Sequence, residues 1–276
     1  MDNQKFKNPF NLDGKVAVVT GGAGVLCSAL SRMLTAEGVK VAVLDLNAQA
    51  ADALATEIRS SGREAIGVAC NVLDKASIEA AAAKTLATFG RVDILLNGAG
   101  GNKPQATTSI ETSFFDLPAD ALRWVIDLNL MGIVLPSQVF GKIMAEQKSG
   151  VILNFSSMNY YRPLTRIPAY SAAKAAVSNL TQWLAVYMAQ NYSPDIRVNA
   201  IAPGFLVGEQ NRRLLLNEDG SLTQRGQTII DHTPMGRFQI PEDLFGTVLW
   251  LLSSASALVT GITVPIDGGF SAYSGV

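Results

Sequence analysis

The stretch KVAVVTGGAGVLCSAL, residues 15–30, joins a short apolar run to a glycine-rich turn and then to a segment of helical character. Gly21, Gly22 and Gly24 allow the backbone to turn tightly and to approach a ligand closely. The start of the following helix favours an anion such as a pyrophosphate, because its N–H groups point outward and its dipole is positive there. A purely structural strand-to-helix turn also uses glycines, so the rest of the chain has to decide.

The same alternation of strand and helix continues along the chain. The predicted strands are apolar at both odd and even positions. Both faces of each strand are therefore apolar, as expected when helices cover both faces of a sheet. This pattern predicts an α/β protein, a single-domain Rossmann fold whose doubly wound parallel sheet has about seven strands. After residues 15–20, further strands are predicted at 40–46, 64–72, 92–100, 150–157, 196–204 and 262–269, and helices at 26–38, 47–62, 74–90 and 122–144.

One segment interrupts this rhythm. Residues 205–233 follow a Pro-Gly pair, are polar and basic, and come after the sixth predicted strand. Their length predicts helix and loop over the sheet edge, where such folds place a substrate lid. We see no internal repeat, low-complexity tract or linker, so residues 1–276 are predicted to form one domain.

Composition narrows the class of protein. Hydrophobic residues make up 48% of the chain and charged residues 16%, which predicts a large core. The net charge of −1, with acids and bases interspersed, argues against nucleic acid or an anionic membrane as partner. The polar first residues lack a signal-peptide core, and residues 248–252 are too short to span a bilayer, so a cytoplasmic protein is expected.

Metal chemistry and disulfides are not expected. Cys27 and Cys70 lie in or beside apolar segments without metal-knuckle spacing, which predicts buried thiols. His232 is the only histidine and cannot form a metal site alone. The expected metal complement is none.

An acid at the end of the second predicted strand supports a dinucleotide site. Asp45 lies 24 residues after Gly21. A carboxylate there can accept hydrogen bonds from an adenosine ribose and would repel a 2′-phosphate, so NAD is favoured over NADP. The alternative is that Asp45 caps the following helix. Two other strand ends fit the same ligand: Asn71 and Val72 beside adenine, and the small residues of NGAG at 97–100 close to the cofactor.

The run AYSAAKAA, residues 169–176, places Tyr170 and Lys174 one helical turn apart on one face. This is either a surface pair or a proton-handling pair. A phenol has a pKa near ~10 in model peptides, and a neighbouring cation favours the phenolate. The spacing therefore predicts that Lys174 lowers the pKa of Tyr170.

In order, the motifs TGGAG, NGAG, DLNLMG, NFSS, AYSAAKAA, RVNAIAPG and VTGITVPIDGG resemble the short-chain dehydrogenase/reductase family, from residue 12 to residue 269. The resemblance implies a catalytic tetrad of Asn129, Ser157, Tyr170 and Lys174. Ser157 is chosen over Ser156 because it lies 13 residues before the tyrosine, the usual gap in the family.

By the same resemblance, Tyr170 is the general acid and base, Ser157 donates to the substrate oxygen, and Lys174 binds the nicotinamide ribose. Asn129 holds a water or the local backbone for proton relay. The full set of residues predicted to bind NAD is Gly21, Gly22, Gly24, Val25, Leu26, Asp45, Leu46, Asn71, Val72, Asn97, Gly98, Ala99, Gly100, Tyr170, Lys174, Pro203, Gly204 and Phe205.

The chain departs from the family pattern at several cofactor positions. Val25 and Cys27 stand where the family usually has glycine, and Gly98 stands where a second asparagine is often found. Asn71 replaces the aspartate that contacts adenine in the family. These changes affect individual cofactor contacts and leave the catalytic set intact.

Three segments, 95–108, 156–174 and 204–221, resemble the short-chain type of fructuronate reductase, also called D-mannonate oxidoreductase. This implies interconversion of D-fructuronate and D-mannonate with NADH and NAD in hexuronate breakdown. Because a sugar acid needs cations and amides around it, Arg162, Lys103 or Arg212 is expected to bind the carboxylate. The predicted substrate set is Asn102, Lys103, Ser157, Asn159, Arg162, Gln210 and Arg212.

Other functions remain open at this point. Another polyol or sugar-acid dehydrogenase, of the gluconate 5-dehydrogenase type, is the main enzyme alternative, followed by a 3-oxoacyl reductase. A nucleotide-binding sensor or scaffold is the non-enzyme alternative, and such a protein would be expected to lose Tyr170 or Lys174. The family commonly forms tetramers, so the resemblance implies a homotetramer.

Overall fold

Seven parallel strands form one sheet in the order β3-β2-β1-β4-β5-β6-β7 in the computed structural model, which describes residues 8–208 and 211–275. This confirms the predicted fold class and every predicted strand, each within a few residues of its expected ends. The strands are β1 Val16–Thr20, β2 Lys40–Asp45, β3 Ala65–Ala69, β4 Ile94–Asn97, β5 Gly150–Phe155, β6 Ile196–Pro203 and β7 Thr263–Ile266.

Helices cover both faces of this sheet. Along β1, Ala17 and Val19 pack on one face of the sheet and Val18 packs on the other. Both faces are buried, which explains why successive residues of the strands are apolar. The helices are α1 Val25–Ala36, α2 Ala48–Ser60, α3 Lys75–Phe89, α4 Ala119–Ile126, α5 Gly132–Gln147, α6 Pro168–Asn191, α7 Arg212–Leu215, α8 Gln224–Asp231 and α9 Phe245–Leu252.

The strand order reverses between β1 and β4. Strand β1 pairs in parallel with β2 on one side and with β4 on the other, so the chain winds outward in both directions from this point. Ligands of open α/β sheets bind beyond the carboxyl ends of the strands at such a reversal. Most residues predicted to bind the cofactor, from Gly21 to Phe205, lie at or follow strand ends at this edge, and Tyr170 and Lys174 lie on α6.

The helical stretch Ala119–Gln147 is long and apolar enough to cross a membrane by length and composition. In the fold it consists of α4, a π-helical turn at Asp127–Met131, and α5. Helix α5 buries Phe140 and Met144 fully in the core against the sheet. Packing therefore accounts for its apolar composition.

The segment after β6 contains the two short helices α7 and α8, which agrees with the helix and loop content expected there; its role as a lid stays a prediction. Between these helices, an antiparallel bridge joins Leu216 to Leu222. A parallel bridge joins Leu206, before α7, to Gln239, after α8. Predicted substrate residue Gln210 lies outside the described residues.

Candidate active site

The glycine turn between β1 and α1 has no room for side chains at two positions. Gly21 has a φ of 61°, and a Cβ there would lie 2.8 Å from the Cα of Ala99. A Cβ on Gly22 would lie 2.7 Å from Cγ1 of Val43. Gly24 is the N-cap of α1 and provides no side-chain cap, so the first turn of the helix presents its N–H groups to the surroundings.

A cavity of about 810 Å³ lies against this turn. Its walls come from the glycine turn, from the loop after β4 and from the beginning of the 205–233 segment. Bare main chain, a helix N-terminus and sufficient volume are what a dinucleotide pyrophosphate requires, so the residues present fit this ligand. The lining residues are Gly21, Ala23, Gly24, Val25, Leu26, Cys27, Ser28, Ala29, Arg32, Gly98, Gly100, Phe155, Leu206, Gly208, Asn211 and Pro241.

Several of these residues were not among those predicted to bind the cofactor. Leu206, Gly208 and Asn211 belong to the segment after β6, and Asn211 accepts from the Gly208 N–H and donates to the Leu206 carbonyl. The sequence feature that could have identified them as cofactor residues is their position shortly after Pro203 and Gly204. Arg32 lies two turns into α1 and forms a bidentate pair with Glu57 of α2, at 2.7 and 2.8 Å, which no motif indicates.

Asp45 does not cap helix α2, so that alternative is wrong. The N-cap is Asn47, whose side chain accepts from the Ala50 N–H. Instead, Asp45 Oδ2 accepts from the Ala23 N–H in the glycine turn at 3.1 Å, and Oδ1 accepts from the Asn47 N–H at 2.9 Å. The carboxylate is therefore held at the end of β2 beside the glycine turn.

Other predicted cofactor residues differ in how much side chain they present. Leu46 is 77% exposed next to Asp45, and Asn71 is also exposed, with Oδ1 accepting from the Leu73 N–H. Val72 is buried and approaches Gly132. Asn97 is fully buried, and its Nδ2 donates inward to Ser137 and Asn154. The Asn97 side chain is therefore used inside the core.

The backbone of the NGAG loop is anchored to β1. The N–H groups of Gly98 and Ala99 both donate to Thr20 Oγ1, at 3.2 and 3.3 Å. A Cβ on Gly100 would lie 2.8 Å from Asn129 Oδ1 and 3.4 Å from Lys174 Nζ. Gly100 therefore connects the glycine-turn cavity to two predicted catalytic residues.

After β6, Gly204 packs closely on the end of β7, where a Cβ would lie 2.8 Å from the Cα of Asp267. The ring of Phe205 packs edge-on against Phe270, with centroids 5.2 Å apart. Phe205 thus faces the C-terminal segment, and the next residue, Leu206, lines the glycine-turn cavity.

Ser157, Tyr170 and Lys174 meet where β5 ends and α6 begins. The Ser157 side chain acts to lower the pKa of Tyr170 through hydrogen bonding, although burial has the larger effect. Lys174 Nζ lies 5.5 Å from the centre of the Tyr170 ring and donates to the Phe155 carbonyl at 2.7 Å. By contrast, the Ser156 hydroxyl bonds to α6 itself, donating to the Lys174 carbonyl at 3.0 Å. Ser157 is therefore the serine placed beside the phenol.

The expected effect of Lys174 on Tyr170 is wrong. The Tyr170 side chain is half-buried, but its hydroxyl lies deeper, and burial raises the pKa of the phenol above its ordinary value. Burial also lowers the pKa of Lys174 to about 8. Burial is the largest cause of the Tyr170 shift, hydrogen bonding with Ser157 opposes it, and Lys174 is not among the groups that lower this pKa.

Asn129 is fully buried in the π-helical turn between α4 and α5. Its Nδ2 donates to the Gly101 carbonyl at 2.6 Å and to the Val125 carbonyl at 2.8 Å, and its Oδ1 accepts from the Gly101 N–H. The side chain thus holds the loop after β4. Two roles were predicted for Asn129, to hold a water or to hold the local backbone, and these contacts agree with the second.

Of the two cysteines, Cys27 lines the glycine-turn cavity and Cys70 does not. Cys27 and Cys70 are free and buried, as predicted. Burial raises the pKa of Cys27 to about 12 and that of Cys70 to about 11. Cys27 takes the space beside Gly98, where a Cβ would overlap its sulfur. Within residues 8–208 and 211–275, no three His, Cys, Asp or Glu side chains cluster as metal ligands.

The predicted substrate residues have varied surroundings. Asn102 donates to Thr107 Oγ1, and Lys103 Nζ lies 4.7 Å from the centre of the Trp124 ring. Arg162 Nε donates to the Ser271 carbonyl at 2.9 Å, and Arg212 is exposed on α7. Asn159 is buried and lines a separate cavity.

Two arginines missed from the sequence lie near each other. Burial lowers the pKa of half-buried Arg225 on α8, and the charge of Arg166, in the loop before α6, lowers it further. Arg166 also helps to lower the pKa of exposed Glu111. Neither arginine forms a salt bridge within the described part of the chain. Their meeting depends on how the segment after β6 folds back, which sequence spacing does not reveal.

Comparison with known proteins places this geometry among oxidoreductases. A family model described as enoyl-(acyl carrier protein) reductase matches residues 23–271. An uncharacterised oxidoreductase of Bacillus subtilis (strain 168), UxuB, is 52% identical over 96% of this chain and 98% of its own length. A 2-dehydro-3-deoxy-D-gluconate 5-dehydrogenase of Dickeya dadantii (strain 3937) is 32% identical over 96% of this chain and 98% of its own.

One solved structure is particularly similar. It is described as a candidate D-mannonate oxidoreductase from Haemophilus influenza with bound NAD. It has a TM-score of 0.90 and 47% sequence identity, and the match covers 96% of this chain and 98% of that chain.

Proposed function

The chain belongs to the short-chain dehydrogenase/reductase family, and from this we propose that it is an NAD-linked enzyme interconverting D-fructuronate and D-mannonate. The observation that carries the proposal is the meeting of Tyr170, Ser157 and Lys174 beside a glycine-lined cavity of about 810 Å³. The class, an oxidoreductase acting on alcohols, follows from the family. The substrate is the further step.

NAD is the cofactor that fits the glycine-turn cavity. The main chain at Gly21 and Gly22, with the N-terminus of α1, would hold the pyrophosphate, and Asp45 would bind the adenosine ribose. The bound NAD found in the similar Haemophilus structure supports this assignment. When bound, the cofactor supplies or accepts the hydride.

The chain's own residues handle the proton. Since burial raises its pKa, Tyr170 holds its proton at neutral pH and can give it to a carbonyl oxygen as negative charge develops there. Ser157, whose side chain acts on the pKa of that phenol, would donate to the same oxygen. Lys174, with a pKa near 8, can exchange a proton close to physiological pH, and Asn129 keeps the adjoining loop in place.

Support for a sugar-acid substrate comes from the relatives, and the segments that follow β4, β5 and β6 supply cations that could bind its carboxylate. The similar structure is described by the D-mannonate reaction, and the Dickeya relative is named for another keto-sugar acid. Lys103, Arg162 and Arg212 remain candidates for the carboxylate. Arg225, with Arg166 beside it, is a further candidate because its charge is half-buried and has no salt-bridge partner within the described residues.

Oxidation of NADH with purified protein tests the proposal. We expect turnover of D-fructuronate, and D-mannonate oxidation in reverse, with loss of both in Tyr170→Phe. A panel with 5-keto-D-gluconate, assayed with NADH, and 2-dehydro-3-deoxy-D-gluconate, assayed with NAD because its C5 alcohol would be oxidised, addresses the alternative that the Dickeya relative favours. If 5-keto-D-gluconate has a higher kcat/KM than D-fructuronate, or 2-dehydro-3-deoxy-D-gluconate a higher one than D-mannonate, the D-mannonate assignment is wrong while the family assignment stands.

The carboxylate partner is tested separately. Each of Lys103, Arg162, Arg212 and Arg225 is replaced by Met, and KM is compared for D-fructuronate and for its uncharged methyl ester. The residue that binds the carboxylate should raise KM for the acid about tenfold or more and leave the ester nearly unchanged, as expected for loss of a charge-assisted contact. A residue with an unchanged KM for the acid is excluded from that role.

We also propose a homotetramer and a cytoplasmic location. In support of association, α6 carries Trp183 and Val186 with 59% and 56% exposure, and Trp183 stacks on Tyr187 with centroids 4.9 Å apart. Large apolar side chains grouped on one helix face are typical of subunit interfaces. Light scattering with Val186→Asp, against the parent protein, tests whether this face assembles the tetramer.

A further inference from the structure

Strand β5 and helix α6 meet through a row of buried polar side chains. On β5, Asn154 and Ser156 are both buried, and because they are two residues apart they lie on one face of the strand. On α6, Ser178 and Thr181 are fully buried, and their spacing of three places them on one face of the helix. We call these four residues the β5–α6 polar seam.

Hydrogen bonds join the two halves of the seam. Asn154 Nδ2 donates to Thr181 Oγ1 at 2.9 Å, and the hydroxyls of Ser156 and Ser178 share a bond of 2.7 Å. The Ser156 hydroxyl also donates to the Lys174 carbonyl at 3.0 Å. Each of these bonds crosses from the strand to the helix. Together they fix both the rotation of α6 and its position along β5.

The seam continues to two further elements of the site. Asn154 Oδ1 accepts from Asn97 Nδ2 at 2.9 Å, and the same Asn97 amide donates to Ser137 Oγ at 3.0 Å. Asn97 ends β4, and Ser137 lies on α5, the helix that follows the π-helical turn of Asn129. One chain of hydrogen bonds thus links the four elements that carry or adjoin the predicted catalytic residues.

Stability alone does not explain a polar contact between a core strand and a core helix. Replacing both partners of a buried hydrogen bond by apolar groups of the same shape is often neutral or stabilising. A satisfied polar network supplies something different, because its bonds require particular lengths and angles and so specify one arrangement. Catalytic groups need such precision, since small displacements of reacting atoms cost much of the rate.

We propose that the β5–α6 polar seam is a positioning element that sets the distance of Tyr170 and Lys174, on α6, from Ser157, at the end of β5. The positions of these residues in the chain support this role. Ser157 directly follows Ser156. Lys174 lies one helical turn before Ser178, and Tyr170 lies one turn earlier still. The proposal rests on the proposed function, because it concerns the residues to which proton transfer is assigned there.

Thr181→Val tests the seam, because it keeps the shape of the side chain and removes the hydroxyl that accepts from Asn154. Thr85→Val is the matched control. Both threonines are fully buried and donate to the carbonyl four residues earlier at 2.8 Å, but the described hydrogen bonds of the Thr85 hydroxyl stay within α3. Steady-state kinetics, the pH profile of kcat and NADH titration are measured for the parent and both variants.

In Thr181→Val we expect kcat to fall about tenfold, while KM and the Kd for NADH stay within about twofold of the parent. The pH of half-maximal kcat should rise, because Ser157 acts to lower the pKa of Tyr170 and the seam holds the two together. Thr181→Ser restores the hydroxyl and should return kcat to within about twofold of the parent. Thr85→Val should keep the parent kcat and pH profile.

An unchanged kcat and pH profile in Thr181→Val overturns the proposal. An equal loss in Thr85→Val, or a loss that Thr181→Ser does not reverse, also overturns it, because either result indicates a general effect of core packing. If Thr181→Val does not fold, Ser178→Ala removes one seam hydroxyl without adding volume and should lower kcat about threefold with the same rise in pH. Each variant is compared with the parent on the sugar acid that the parent turns over fastest, so failure of the D-mannonate assignment leaves these ratios readable.

Discussion

Asn129 holds Gly101 by both of its main-chain groups, donating to the carbonyl at 2.6 Å and accepting from the N–H at 3.2 Å. A second donation, to the Val125 carbonyl at 2.8 Å, anchors the same amide to α4. The π-helical turn is thus tied to the loop that follows β4. Because Gly100 of that loop adjoins Lys174, the position of Asn129 bears directly on the site.

Replacing Asn129 by Asp keeps an acceptor for the Gly101 N–H but removes both donations. Two buried carbonyls then lose their partner and a carboxylate is buried beside them, so we expect a loss of about 2–4 kcal/mol in the free energy of unfolding. We also expect kcat to fall at least about tenfold as the loop shifts. Denaturant unfolding and steady-state kinetics measure the two effects.

Asn191→Asp is the matched control for this change. Its Nδ2 also donates to a helix carbonyl, that of Tyr187, but at an exposed position far along α6. Stability and kcat should stay close to the parent values in the control. Equal losses in both variants would mean that Asn129 is an ordinary helix residue.

The buried ammonium of Lys174 predicts a pH-dependent stability. Its pKa falls from 10.5 when exposed to about 8 in the folded protein. Below pH 8 both states hold the proton, and folding bears the full cost of burying the charge. Between pH 8 and 10.5 the unfolded state holds more protons, so the free energy of unfolding gains a contribution that rises with pH.

Lys174→Met removes this contribution. The difference in unfolding free energy between parent and variant should therefore change in favour of the parent as pH rises from 7.5 to 9. Denaturant unfolding at four pH values measures it, and working below pH 9 limits interference from the thiols of Cys27 and Cys70, whose folded pKa values are raised. A difference that is constant across this range would show that Lys174 is not desolvated.

Most of the architecture could be predicted from residue patterns because strand and helix periods and glycine turns are local. The strands from Val16–Thr20 to Thr263–Ile266 were all predicted, as were the buried thiols. Asp45 and Asn97 show the limit. Whether a polar side chain at a strand end turns outward or inward depends on neighbours distant in sequence, such as Asn154 for Asn97. The spacing of residues within a motif does not reveal these neighbours.

Electrostatic balance was likewise hidden from the sequence. The spacing of Tyr170 and Lys174 shows that they share a helix face, but not that their polar groups are buried deeply enough for desolvation to dominate. The approach of Arg166 to Arg225 depends on the folding of the segment after β6, 59 residues further along the chain. Such effects require the three-dimensional arrangement.

Asp45 is predicted to set the choice between NAD and NADP. Its carboxylate is fixed by the Ala23 and Asn47 N–H groups, so it cannot move away from a 2′-phosphate without breaking both bonds. Asp45→Asn keeps an acceptor and removes the charge, and the ratio of kcat/KM for NADP to that for NAD should rise about tenfold or more. Asp52→Asn, exposed on α2, is the control and should leave the ratio unchanged.

Cys27 and Gly98 are predicted to constrain each other. A Cβ on Gly98 would overlap the Cys27 sulfur and lie 3.0 Å from the Thr20 carbonyl, so Gly98→Ala should cost about 1–3 kcal/mol of stability by overpacking and should weaken NAD binding. In a Cys27→Ala background the added methyl gains space, and the cost of Gly98→Ala should fall by about 1 kcal/mol or more. A double-mutant cycle by thermal unfolding and NAD titration measures this coupling. Additive losses would instead place the conflict at the Thr20 carbonyl and show that the thiol does not restrict this loop.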